Sequence, residues 1–107
     1  MALGPKEGLA LLNGTQVSTA LALAGIATVP NREETEDGFE RQLGTNHLGH
    51  FALTGLLLPF LHRRPTSRIV PVASLAHRSG RIHLDDPQLH HAYGPQRAYR
   101  QSKLAML

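Results

Sequence analysis

Tyr99 and Lys103 stand four residues apart in a stretch that reads as a helix, so their side chains share a face, about one turn apart. A phenol ordinarily loses its proton near about pH 10, and a cation held beside it favours the phenolate, which makes such a pair competent in proton transfer. The same spacing also describes an exposed pair on a solvated helix. Ser74 ends the short β-branched run from Arg68 to Ala73. In α/β folds the carboxyl ends of parallel strands open onto the ligand crevice, where a hydroxyl can hold a carbonyl oxygen. A serine in that place also serves as a turn or helix cap. Asn46 falls in the middle of a long helical pattern, where an amide is a poor helix former and either faces solvent or binds water inside the protein.

The elements that must position these groups follow from the apolar spacing. Residues 1–18 read as an irregular start. Thr19 to Ala27 is a small, apolar run of strand length, broken by Gly25, as in a buried parallel strand feeding a loop. An acidic segment from Pro30 to Asp37 leads into a helix that Thr35 or Asp37 could cap. Phe39, Leu43, His47, Phe51, Thr54 and Leu58 recur at spacings of three and four, which predicts one mostly apolar stripe before Pro59 and the His62-Arg63-Arg64-Pro65 cluster bring the helix to a stop. A second strand follows over 67–74. Pro71 lies within it and removes a ladder donor, so that strand belongs at a sheet edge or carries an irregularity there. A long loop from Leu75 to about Gln96 precedes a second helix, Gln96 to Leu107, and loops of that length usually serve a site.

Strand, helix, strand, helix is the rhythm of an α/β fold with a parallel sheet. Two strands and two helices leave edges open and apolar faces uncovered, which predicts marginal stability and self-association through those edges. With 107 residues the chain is a single domain or part of one. It has no cysteine, which excludes disulfide scaffolds and thiolate zinc sites and agrees with a reducing, cytoplasmic setting. No apolar run is long enough to span a bilayer, and Asn13, Thr15 and Gln16 interrupt any signal-peptide core.

The formal charge of +3 comes from basic residues scattered along the chain from Arg41 onward, with only five aromatics and no Trp. Nucleic-acid binding would need them gathered on one face, with rings to stack bases if the target is single-stranded, so the dispersed set argues against it. Seven histidines invite a metal reading through His47 and His50, or through Asp85, Asp86, His90 and His91 in one loop. Without cysteine that reading is set aside, and no metal is expected.

Three motifs taken together are more specific than any one alone. The segments Thr45-Asn46-His47-Leu48-Gly49-His50-Phe51, Arg68-Ile69-Val70-Pro71-Val72-Ala73-Ser74-Leu75-Ala76-His77 and Ala98-Tyr99-Arg100-Gln101-Ser102-Lys103-Leu104-Ala105 resemble, in order, type and spacing, the short-chain dehydrogenase/reductase family. The likeness is strongest to its retinol dehydrogenase-like branch and runs over 19–107, so that 1–107 reads as one partial domain of that family. The resemblance implies a partial Rossmann-like, doubly wound parallel sheet, an NAD or NADP cofactor and an alcohol or carbonyl substrate. It further implies that Tyr99 is the acid/base, that Ser74 orients the substrate oxygen, and that Lys103 favours the phenolate and holds the nicotinamide ribose. Asn46 would bind the water that links Lys103 to solvent, and Ala24, Gly25, Asn46, Tyr99 and Lys103 would form the cofactor side.

The family's Asn-Asn-Ala-Gly stands here as Ala22-Leu23-Ala24-Gly25, and nothing in the sequence matches the glycine-rich turn that grips a dinucleotide diphosphate. The 107 residues therefore look like the middle of a longer enzyme, with little or no turnover expected of them alone. The alternative function is that of a non-catalytic module docking on a full-length relative through its open sheet edge. A small anion or nucleic-acid binder would instead lose affinity steeply with salt.

Overall fold

The computed structural model describes residues 19–22, 25–63 and 65–107. The predicted irregular start over 1–18 lies outside them, as do Leu23, Ala24 and Arg64. The described residues form a mixed α/β arrangement: β1 (Thr19–Ala22), a short helix α1 (Arg41–Leu43), a π turn (Gly44–Leu48), α2 (Gly49–Leu61), β2 (Arg68–Pro71), a 3-10 turn (Leu75–Ser79) and α3 (Pro95–Leu104). No described helix is long and apolar enough to cross a membrane. Two compact units divide the chain.

In one unit β1 and β2 pair in parallel, with Thr19 opposite Arg68 and Ala22 opposite Pro71, and α2 packs against both strands. Pro71 is the last residue of that ladder, where a missing donor costs least. The helix stops within the stretch from Pro59 to Pro65 that the sequence marked for it, although Pro59 itself does not end it. Pro59 lies inside α2, which runs on to Leu61. A proline ring crowds the carbonyl four residues earlier, here that of Gly55, and an added Cβ at Gly55 would meet nothing within 4 Å. The Ser67 hydroxyl donates to the Leu61 carbonyl at 2.9 Å and closes the helix end. Because α2 is apolar on every side, spacing did not identify its buried face. Leu57 and Leu61 are buried, whereas Phe51 and Leu58 of the expected stripe are exposed.

The second unit holds 25–48 and 73–107. Its helix entry is capped neither by Thr35 nor by Asp37. Glu40, fully buried, accepts from the backbone N–H groups of Gln42 at 2.9 Å and Leu43 at 2.7 Å. The strand predicted to continue to Ala27 ends at Ala22 instead. Side chains take the backbone groups that a ladder would have used. Asn46 bonds both the N–H and the C=O of Ile26, Gln42 accepts from Thr28 N, and Tyr93 donates to the Val29 carbonyl.

The expected loop after residue 74 opens with the 3-10 turn. The second helix spans Pro95–Leu104 rather than 96–107, with proline at its first position, where no donor is needed. Between them, Asp86 accepts from the N–H groups of His91 at 3.0 Å and His90 at 2.9 Å, His91 first, which holds its carboxyl below the usual value.

The 3-10 turn packs on α3, and Gly80, which caps the turn, lies tight against that helix: an added Cβ would lie 2.7 Å from the Arg100 carbonyl oxygen. Backbone cannot move aside as a side chain can. Gly80→Ala is therefore expected to cost about 1–3 kcal/mol, read as a lower urea midpoint. A stability equal to that of the parent chain would show that the contact yields.

Candidate functional site

All four residues singled out by the sequence, Asn46, Ser74, Tyr99 and Lys103, lie in the second unit. Asn46 sits in the π turn, and such irregular turns occur often at functional sites. Contrary to the commoner expectation for an exposed helix, it is completely buried. Its Oδ1 accepts from Ile26 N at 2.9 Å, while Nδ2 donates to the Ile26 carbonyl and to Ser102 Oγ, each at 2.9 Å. Ser102 in turn donates to the Tyr99 carbonyl at 2.8 Å. The amide plane is thus held at both ends.

Lys103 is buried to within 8% of full exclusion, and its ammonium lies 6.0 Å from the centroid of the Tyr99 ring. Both residues belong to α3, four apart, so helical geometry alone sets them on one face. Gly25 completes the group. A Cβ built on it would stand 3.3 Å from Asn46 Oδ1 and 3.7 Å from Lys103 Nζ, so only glycine leaves bare backbone over these two polar groups.

Ser74 does not end β2, which stops three residues earlier. It caps the 3-10 turn, its oxygen accepting from Ala76 N at 3.2 Å. The cap and the proposed chemistry are compatible, because a hydroxyl that accepts one bond still has its hydrogen to donate. His77 fixes the Ser74 backbone, with Nδ1 2.6 Å from its carbonyl oxygen. The turn carrying Ser74 packs on α3, so it reaches the helix of Tyr99 and Lys103 through that contact.

Several contributors escaped the sequence reading: Ser102, Gln42, Glu40 and Gln101, all essentially buried. Gln101 accepts from His83 N and donates to the Pro87 carbonyl, which pins the loop before α3. Gln42 and Asn46 lie four apart, so a polar stripe on the predicted helix was the available signal. The interior of this unit is largely an amide network, stable because its members are paired.

Burial pushes the Tyr93 phenol above its ordinary value, against a smaller opposing effect of the hydrogen bond from Gln42. As pH rises past about 10, the unfolded chain releases this proton first. The stabilisation tied to the neutral phenol is complete below that pH and is lost as pH climbs through the folded value. Tyr93→Phe is expected to flatten the alkaline fall of the urea midpoint. An identical pH slope in the variant would contradict this.

Among the described residues no group of three or more His, Asp or Glu side chains is placed to hold a metal ion. No family model matches the chain. It is 52% identical over 87 residues to mouse (Mus musculus) polyprenol dehydrogenase, covering 78% of this chain and 26% of that protein. To human (Homo sapiens) retinol dehydrogenase 11 it is 51% identical over 82 residues, covering 77% and 26% respectively. A crystal structure of an uncharacterized protein from Mycobacterium Paratuberculosis superposes with a TM-score of 0.79 at 47% identity, over 94% of this chain and 36% of that one. The chain thus spans about a quarter of the length of the curated relatives it matches.

Proposed function

Since the chain belongs to the short-chain dehydrogenase/reductase family, on its retinol dehydrogenase-like branch, we propose that it carries the proton-handling part of an NAD(P)-dependent oxidoreductase that interconverts an alcohol and a carbonyl. One observation carries the reading: Gly25, Asn46 and Lys103 converge beside the helix face that also bears Tyr99. Reduction of a carbonyl puts a hydride on carbon and leaves an alkoxide that needs a donor and then a proton. When bound, the nicotinamide supplies that hydride, or accepts it in the reverse direction.

Tyr99 gives its proton to the substrate oxygen, or removes it from an alcohol. Ser74 donates its hydroxyl hydrogen to the same oxygen. Lys103, buried and cationic, favours negative charge on the phenol oxygen and holds the cofactor ribose. Asn46 holds the water that relays protons to Lys103. The bare backbone at Gly25, with Ala24 before it, forms the cofactor side. The partial doubly wound, Rossmann-like architecture fits the parallel strand pair and its crossover through α2.

Because the chain spans only part of its relatives, the test is an exchange. Residues 25–107 replace the matching segment of human retinol dehydrogenase 11, and retinol oxidation is assayed with NAD and NADP, with a polyprenol as second substrate. Turnover within about tenfold of the parent supports the reading. A folded but inactive exchange protein overturns it.

A second reading is favoured by β2, on which Ile69 and Val70 are 44% and 45% exposed. Such a strand can pair with a relative's sheet edge. Sedimentation showing a monomer that ignores a full-length relative would remove that reading.

A further inference from the structure

We infer that Gln42 is the positioning residue of this site, a single amide that sets the cofactor-side segment 25–29 against the start of the helix carrying Tyr99 and Lys103. The inference rests on the proposed reading only for what is being positioned. Gln42 is completely buried. Its Oε1 accepts from Thr28 N at 2.9 Å, and its Nε2 donates to the Pro95 carbonyl at 3.1 Å and to the Tyr93 hydroxyl at 3.2 Å. Tyr93 then donates to the Val29 carbonyl at 2.6 Å, which closes a ring around the peptide between Thr28 and Val29.

Two features lift this above an ordinary satisfied core amide. Thr28 has φ +52°, a left-handed conformation that is costly for a β-branched residue and persists only where neighbours impose it. The bonds of Gln42 and Tyr93 on either side of that peptide are what impose it. Pro95, moreover, is the first residue of α3, and its carbonyl is the one that accepts the Tyr99 amide in helical geometry. Gln42 therefore bonds the same oxygen as the backbone of Tyr99. Two residues before Thr28, Ile26 is bonded at both backbone groups by Asn46. One side chain thus ties the strained turn, the Asn46 contact and the root of the Tyr99 helix into a common frame.

The test is amide hydrogen exchange on the full 107-residue chain, without cofactor, comparing the parent with Gln42→Leu and Gln42→Glu. In Gln42→Leu, exchange at Thr28 and Ile26 is expected to rise about tenfold or more, while Ala105 at the far end of α3 keeps its rate relative to the parent. The Tyr93 phenol, having lost a donor, titrates at still higher pH, followed by its ring carbon resonance. In Gln42→Glu the acceptor for Thr28 N is retained, so Thr28 protection returns while the Tyr93 titration stays displaced. A general structural role would instead accelerate every amide together and give no selective rescue by Glu.

Unchanged exchange at Ile26, or uniform acceleration, overturns the inference. If Gln42→Leu does not fold, Gln42→Glu alone decides, since loss of Thr28 protection in that variant is also fatal. The retinol exchange assay fails or succeeds independently, so a frame that depends on Gln42 in an inactive site remains distinguishable from an active site that does not need it.

Discussion

Tyr99→Phe in the retinol dehydrogenase exchange protein is expected to lower kcat by about 10²–10⁴-fold, the range lost when a positioned proton donor is removed. The fold should barely register the change. It is the Tyr99 backbone carbonyl that accepts from Ser102, and phenylalanine keeps both that carbonyl and the ring that lies beside Lys103. The only atom removed is the hydroxyl oxygen, on a half-buried side chain. Thermal unfolding within the scatter of the parent, together with a steep loss of kcat at nearly constant KM, is the pattern of a group that acts in the transition state. A loss smaller than about tenfold would place proton transfer elsewhere and leave Tyr99 as helix surface. Ser74→Ala should behave differently. It removes the cap on Ala76 N as well as the hydroxyl hydrogen, so some stability goes with the rate.

Legibility in the sequence followed the kind of force at work in each place. The Tyr99–Lys103 pair was visible because helix geometry fixes four-residue neighbours whatever surrounds them, and α3 begins at Pro95, within a residue of where proline and periodicity set it. The strand at Arg68 was legible from its β-branched residues, but its end was not: the run reads on to Ser74, and it stops at Pro71, where the ladder lacks a donor. What resisted reading was the exchange of backbone ladder for side-chain amides. Nothing in the run Thr19 to Ala27 announces that Ile26 will be bonded by Asn46 twenty residues on, or Thr28 by Gln42. Those bonds are long-range and polar, and hydrophobic periodicity reports neither property. The apolar helix α2 failed for the opposite reason. With apolar residues on every side, its pattern carries no phase, and the choice of Leu57 and Leu61 as its buried residues is made by what packs on it. Glu40 as helix cap was overlooked because Thr35 and Asp37 are more usual caps, yet a buried carboxylate receiving two N–H groups serves as well.

Asn46→Leu is expected to destabilise the chain by about 3 kcal/mol or more, near the upper end for single substitutions. Leucine keeps the branching of asparagine but is larger and not planar, so lost polarity and overpacking act together at this site. Three bonds disappear at a completely buried position: Ile26 N loses its acceptor, the Ile26 carbonyl loses its donor, and Ser102 Oγ loses the amide that faces it. Each group left unsatisfied costs about 1–3 kcal/mol, and relaxation recovers part of the sum. The π turn adds to the effect. A wide turn exposes carbonyls that an α-helix would pair, so it is tolerated where a side chain such as Asn46 gains from the altered geometry, and with leucine that gain is gone. Asn46→Asp separates the two halves of the argument. It keeps an acceptor for Ile26 N but sets a carboxylate against the Ile26 carbonyl and removes both donors, so it should recover little of the loss at neutral pH and more under acid, where the protonated carboxyl can donate again. Urea unfolding of the three chains across pH measures this directly. An Asn46→Leu chain as stable as the parent would mean that the Ile26 segment finds other partners, and the frame around Gly25 and Lys103 would then owe nothing to the amide.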